Sequence, residues 1–186
     1  MTLLLDGARR KGIPLIVGSC GSSGAEPNLQ WMRAIAEEIA KEKGFHFKMA
    51  LIHAEQDKEY VRRKLRDGKT RPLGPVPPLT EGDIDRAPRI VGMMGVEPYI
   101  KALDEGAEVI LAGRSSDTSI FSAMPLREGF PPGLIWHMAK LIECHGAICE
   151  PQSGVSDGVF AYLRDDHFIL EPTNPDKVCT TLGVAA

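Results

Sequence analysis

The sequence predicts an α/β fold: a mostly parallel sheet flanked by helices in a Rossmann-like three-layer arrangement, with a C-terminal β-hairpin. Three observations carry this. Short apolar runs alternate with segments of helical period, the pattern of right-handed βαβ units. The run 108–112 (EVILA) is the clearest strand in the chain. The stretch 13–44 passes from an apolar strand (13–17) through a glycine-serine loop (18–24) into a long amphipathic helix. That stretch is the one around which the rest is organised.

Taken in order, residues 3–10 read as a helix closed by Gly12. Helix 27–43 has Leu29, Met32, Ala36, Ile39 and Ala40 at helical spacing, accepts Pro27 in its first turn, and ends at Gly44. Residues 45–54 read as a second strand, and Asp57 caps a helix over 58–67 that Gly68 terminates. Residues 71–79 hold four prolines in nine positions and predict a stiff, extended excursion. Thr80 and Asp83 form a capping box for a short helix. Residues 90–94 read as a short strand, 96–105 as a helix stopped by Gly106, and 113–117 as a loop leading into a helical turn. After a proline-rich bend at 130–133 comes helix 134–145, closed by Gly146. Residues 159–164 and 167–172, joined at Asp165 and Asp166, read as a hairpin. The division expected is an α/β core over 1–155 with a hairpin extension of the same domain over 156–186.

With 22 Lys plus Arg against 25 Asp plus Glu, the net charge of −3 gives no reason to expect nucleic acid or an anionic membrane as partner. No apolar run approaches a membrane span, no signal-peptide pattern opens the chain, and four cysteines do not make a disulfide scaffold. A reduced, cytoplasmic protein is the expectation. The chain opens on an amphipathic pattern and stops on small apolar residues, which predicts a piece of a longer fold, a homo-oligomer, or a chain whose ends a partner subunit covers.

Ligands of parallel sheets bind at the carboxyl ends of the strands, so loops 18–24 and 113–117 are expected to share one rim. In the first, Gly18, Ser19, Gly21, Ser22, Ser23 and Gly24 offer backbone N–H groups and hydroxyls to a phosphate or carboxylate. It has neither the lysine of a P-loop nor the dinucleotide spacing. In the second, Arg114 is suited to clamp an anion, with Ser115 and Ser116 beside it. Asp117 serves either as an acid-base residue or as the cap of the next helix. His137, Lys140 and Cys144, with Glu143, share one side of helix 134–145; a solvated face is the favoured reading there over acid-base work. His137, Cys144, His145 and Cys149 have no recognised zinc spacing, so no metal is expected. Cys20 sits at a helix N-terminus but reads as a buried, inert thiol. The basic run from Lys58 to Arg71 reads as a wet helix face, and Asp165, Asp166 and His167 as a turn.

GSCGSSGAEPNLQW, RIVGMMGVEPYIKALDEGAEVILAGRSSD, PLREGFPPGL and LRDDHFILEPTNP together resemble the core of the acyclic terpene utilisation (AtuA) family, in order over almost the whole chain. Members of that family are typically encoded near acyl-CoA carboxylases, CoA transferases or hydratases, and are usually more than twice this length. The resemblance implies catabolism of an acyl-CoA or branched carboxylate, with a CoA thioester as substrate and no assigned cofactor. The family loop often reads G-S-A-G-G-x-G, where this chain has Cys20 and Ser22. The expected function is a lyase- or hydratase-like enzyme with Arg114 and Asp117 as catalytic residues. The alternative is a non-catalytic ligand-binding or stabilising subunit, with nucleotide binding a weaker third.

Overall fold

A computed structural model describes residues 1–151 and 158–185, with His145 described by its backbone alone. Helix α1 (Thr2–Lys11) ends at Gly12 in the left-handed conformation. Strand β1 (Leu15–Val17) leads to α2 (Glu26–Lys43), which takes Pro27 in its first turn and stops at left-handed Gly44. Strand β2 (Met49–Ile52) and helix α3 (Lys58–Arg66) follow, the latter capped by Asp57 accepting from the Tyr60 N–H at 2.8 Å. Helix α4 (Glu81–Arg86) has the full capping box of Thr80 and Asp83. Then come α5 (Glu97–Asp104), β3 (Val109–Ala112), α6 (Ser119–Arg127) and α7 (Pro132–Ile142). A 3-10 turn (His145–Ile148) leads to β4 (Cys149–Glu150). Strands β5 (Val159–Leu163), β6 (Phe168–Pro172) and β7 (Val178–Cys179) and helix α8 (Thr181–Ala185) complete the chain.

The central sheet is parallel, with β3 between β1 and β2. Alternation along the strands then decides the layers. Leu15, Val17, Val109, Leu111, Met49 and Leu51 face α1 and α2, where they meet Leu5, Leu29, Ala36 and Ile39. Ile16, Ile110, Ala112, Ala50 and Ile52 face α5 and α6, where they meet Tyr99, Ala102, Leu103 and Ala123. All four β3 residues are buried, as a central parallel strand covered on both faces requires. This is the helix–sheet–helix layering expected, built on three strands. That small sheet does not in itself define a Rossmann-like topology. The hairpin β5–β6 forms as expected and packs Phe168 edge-on to His137 of α7, with ring centroids 5.3 Å apart.

Several expected elements are corrected. The first two strands are shorter than 13–17 and 45–54. Pro14 has no N–H to give a ladder, and β2 pairs only as far as β3 reaches, from Met49 opposite Val109 to Ile52 opposite Ala112. Residues 90–94 are not a strand. They form a strap that touches the sheet ends through two isolated bridges, Glu55 with Val91 and Met94 with Ser115. Helix α7 ends at Ile142, and Gly146 lies inside the 3-10 turn instead of closing the helix. The helical turn after Asp117 is a nine-residue helix, α6, that tolerates Pro125 in its interior. The short β4–β7 ladder is an addition. The boundary drawn between 155 and 156 lies outside the described residues.

Candidate functional site

The loops 18–24 and 113–117 meet, as the strand order requires. The N–H of Ser19 donates to the Gly113 carbonyl at 3.1 Å, and that of Cys20 to the Ala112 carbonyl at 3.0 Å. Ser19 Oγ accepts from the Ser115 N–H at 3.2 Å and from Arg114 Nη1 at 3.2 Å. Gly24 is essential to the junction: at φ +64, a Cβ there would lie 2.1 Å from the Arg114 nitrogen. Beneath it, Ser115 is buried, its Oγ donating to the Gly113 carbonyl at 2.9 Å and bonded to the Tyr99 hydroxyl. Burial pushes the Tyr99 phenol up to about 12, so it stays protonated and serves as a fixed post.

A cleft of about 560 Å³ opens beside this junction. Its walls are apolar: Leu15, Ile16 and Val17 of β1, Ile120 and Phe121 of α6, with Ile142 and Val159 closing the far side. Its polar lining is Ser19, Ser115, Ser116, Asp117 and Glu143. Asp117 lies 3.4 Å from Arg114 Nη2. Glu143 is almost covered, at 10% side-chain exposure, and pairs with the exposed Lys140. The Lys140 ammonium is held above its ordinary value by that carboxylate.

Not every expected residue comes to the cleft. Gly18 lines it, but Gly21, Ser22, Ser23 and Gly24 do not. The Gly21 carbonyl accepts from Asn28 Nδ2 at 3.0 Å, and Ser23 Oγ donates to Asn28 Oδ1 at 3.2 Å. Arg114 stands behind the rim, two-thirds covered and engaged with Ser19 and Asp117. At the N-terminus of α2, the Glu26 N–H donates to Glu55 Oε2 at 2.9 Å, so a carboxylate of the chain itself sits on the helix dipole there. Glu55 Oε1 accepts in turn from Arg89 at 2.6 Å, and Glu26 pairs with His53 at 2.7 Å.

Cys20 is fully buried, and burial pushes its thiol up rather than down, in keeping with an inert side chain. The basic face of α3 is wet, with Arg62 paired to Glu59 and Asp85 and Arg66 to Glu81. Glu143 and Lys140 divide the helix reading between them: Lys140 is on the solvated face, whereas Glu143 enters the cleft. Sequence reasoning missed Ile120 and Phe121, which stand in the first turn of α6 directly after the 113–117 loop. It also missed Glu55, which is 29 residues from the N–H it receives and has no local signal. Among the described residues no group of three His, Cys, Asp or Glu side chains could hold a metal ion, and the side chain of His145 lies outside them. Among those residues, too, no helix is long and apolar enough to cross a membrane.

The family model described as acyclic terpene utilisation family protein AtuA matches residues 1–128. This chain belongs to the AtuA family. The match takes in both loops, 18–24 and 113–117, and the whole parallel sheet. It stops within the third of the four resembling segments. The α7 and hairpin side of the cleft, with Ile142, Glu143 and Val159, therefore lies beyond it. No curated protein and no solved structure matches this AtuA chain. Membership points to acyclic terpene utilisation.

Proposed function

We propose that this AtuA chain binds an acyl-CoA or branched carboxylate of acyclic terpene catabolism and acts on it in a lyase- or hydratase-like way. The observation that carries this reading is the make-up of the cleft: apolar walls suited to a branched hydrocarbon, with the hydroxyls of Ser19 and Ser116 and the carboxylates of Asp117 and Glu143 in its lining. The anionic or thioester end lies at the rim, where Arg114 draws it. An anion there competes with Asp117 for the guanidinium, which frees the Asp117 carboxylate to accept a proton from the carbon beside the thioester or from an adding water. The hydroxyl of Ser116 donates to the thioester oxygen as charge develops on it.

A second reading has an observation of its own. Among the described residues, no His, Lys or Cys lines the cleft, and it runs along the outer edge of β1. A non-catalytic subunit that binds a ligand or seats a partner fits that composition. Turnover and binding of branched acyl-CoA thioesters, measured on wild type and Asp117→Asn, separate the two. The enzymatic reading expects a loss of about 100-fold or more in turnover with binding kept within a few-fold. Unchanged turnover in Asp117→Asn and Arg114→Ala would refute it.

A further inference from the structure

Cys149 and Cys179 are direct register partners in the β4–β7 ladder, and their sulfurs lie 3.4 Å apart. Directly opposed residues of an antiparallel pair have Cα atoms about 4.5–5.5 Å apart, inside the span of about 4.4–6.8 Å that a disulfide bridges. The two thiols differ in access. Cys149 is fully buried, whereas Cys179 is half-buried and lines an open groove with Leu141, Phe168, Leu170 and Thr180.

We propose that Cys149 and Cys179 are a site of covalent modification, closing to an intramolecular disulfide when the chain meets a small-molecule disulfide such as oxidised glutathione. Cys179 gives its proton to a solvent base, and its thiolate attacks one glutathione sulfur. The glutathione S–S bond breaks, a mixed disulfide forms, and the first glutathione leaves as a thiolate. Cys149 then loses its proton and attacks the Cys179 sulfur, expelling the second glutathione. The protein sulfurs lose two electrons in all, the glutathione pair gains them, and the two released protons end on the two glutathione thiols. Burial, and then the neighbouring Cys149, push the Cys179 thiol up to about 11, so closure is slow at neutral pH and accelerates as pH rises. The bridge closes a loop between residues 30 apart that carries the β5–β6 hairpin, which constrains the unfolded chain.

The test is incubation of the full chain with oxidised glutathione at mildly alkaline pH, alkylation of the remaining thiols, peptide mapping and a melting curve. Cys144→Ser removes the exposed competitor. The expected result is a peptide linking Cys149 to Cys179, in wild type and in Cys144→Ser, with a raised melting temperature. Cys149→Ser should leave Cys179 trapped as the glutathione adduct. Cys179→Ser should form no bridge and show no rise. Alkylation of both cysteines under excess oxidant, or a bridge from Cys144 to either one, would overturn the proposal.

Discussion

The backbone N–H of Glu26 and the carboxylate of Glu55 are joined across 2.9 Å, so the N-terminus of α2 carries an anion supplied from the end of β2. A glycine-rich turn onto a helix usually leaves that position for a ligand. Here it ties the segment after β2 to the N-terminus of α2, and the cleft is lined instead by Gly18 and Ser19 of the same loop. Glu55→Gln keeps an acceptor but removes the charge. It is expected to lower stability by about 0.3–1 kcal/mol at low ionic strength, and by less in salt, in urea denaturation.

The same cluster sets an acid limit. Arg89 and then the Glu26 N–H hold the Glu55 carboxyl below its ordinary 4.5, and His53 and then Gln30 do the same for Glu26. A carboxyl depressed on folding contributes stability above its unfolded value and loses it as pH falls through the folded one. Urea midpoints should therefore drop as pH falls below about 4.5, and the drop should be smaller in Glu55→Gln. Parallel curves for the two proteins would show that the Glu55 carboxylate contributes nothing.

Gly24→Ala tests the loop junction. The added methyl would lie 2.1 Å from the Arg114 backbone nitrogen, at a φ of +64 that disfavours any side chain. A loss of about 4 kcal/mol or more, or failure to fold, is expected. Gly44→Ala has open space around it and meets only the backbone penalty, about 1 kcal/mol. Comparable denaturation midpoints for the two variants would mean that the loops are not clamped together.

Tyr99 and Ser115 form a buried pair whose members are unequal. Tyr99→Phe leaves Ser115 Oγ its bond to Gly113 and should cost about 1 kcal/mol. Ser115→Ala strands the phenol in the core and should cost about 1–3 kcal/mol. Equal losses in a denaturation series would contradict the ranking.

Local signals account for what the sequence revealed. The apolar run at Val109–Ala112, Pro27 and Gly44 on α2, and the caps at Asp57 and Thr80 each act within a few residues, and each element formed. The meeting of the two loops was also legible, because parallel strands send their carboxyl ends to one edge. What was hidden depends on distant neighbours. Residues 90–94 have strand composition, but Ile90 bonds the Gln56 N–H and Met94 bonds that of Ser116, so the run straddles two loops. The two-residue strands β4 and β7 carry no period to read. The cleft draws on α6, α7 and β5, whose convergence no single stretch encodes.

The most direct test of the cleft is a melting-temperature titration with branched acyl-CoA on wild type and Phe121→Asp, which puts a charge on the half-buried apolar wall. A concentration-dependent rise is expected in wild type, and the variant is expected to lose it while remaining folded. A rise of equal size in both proteins, or none in wild type, would contradict it.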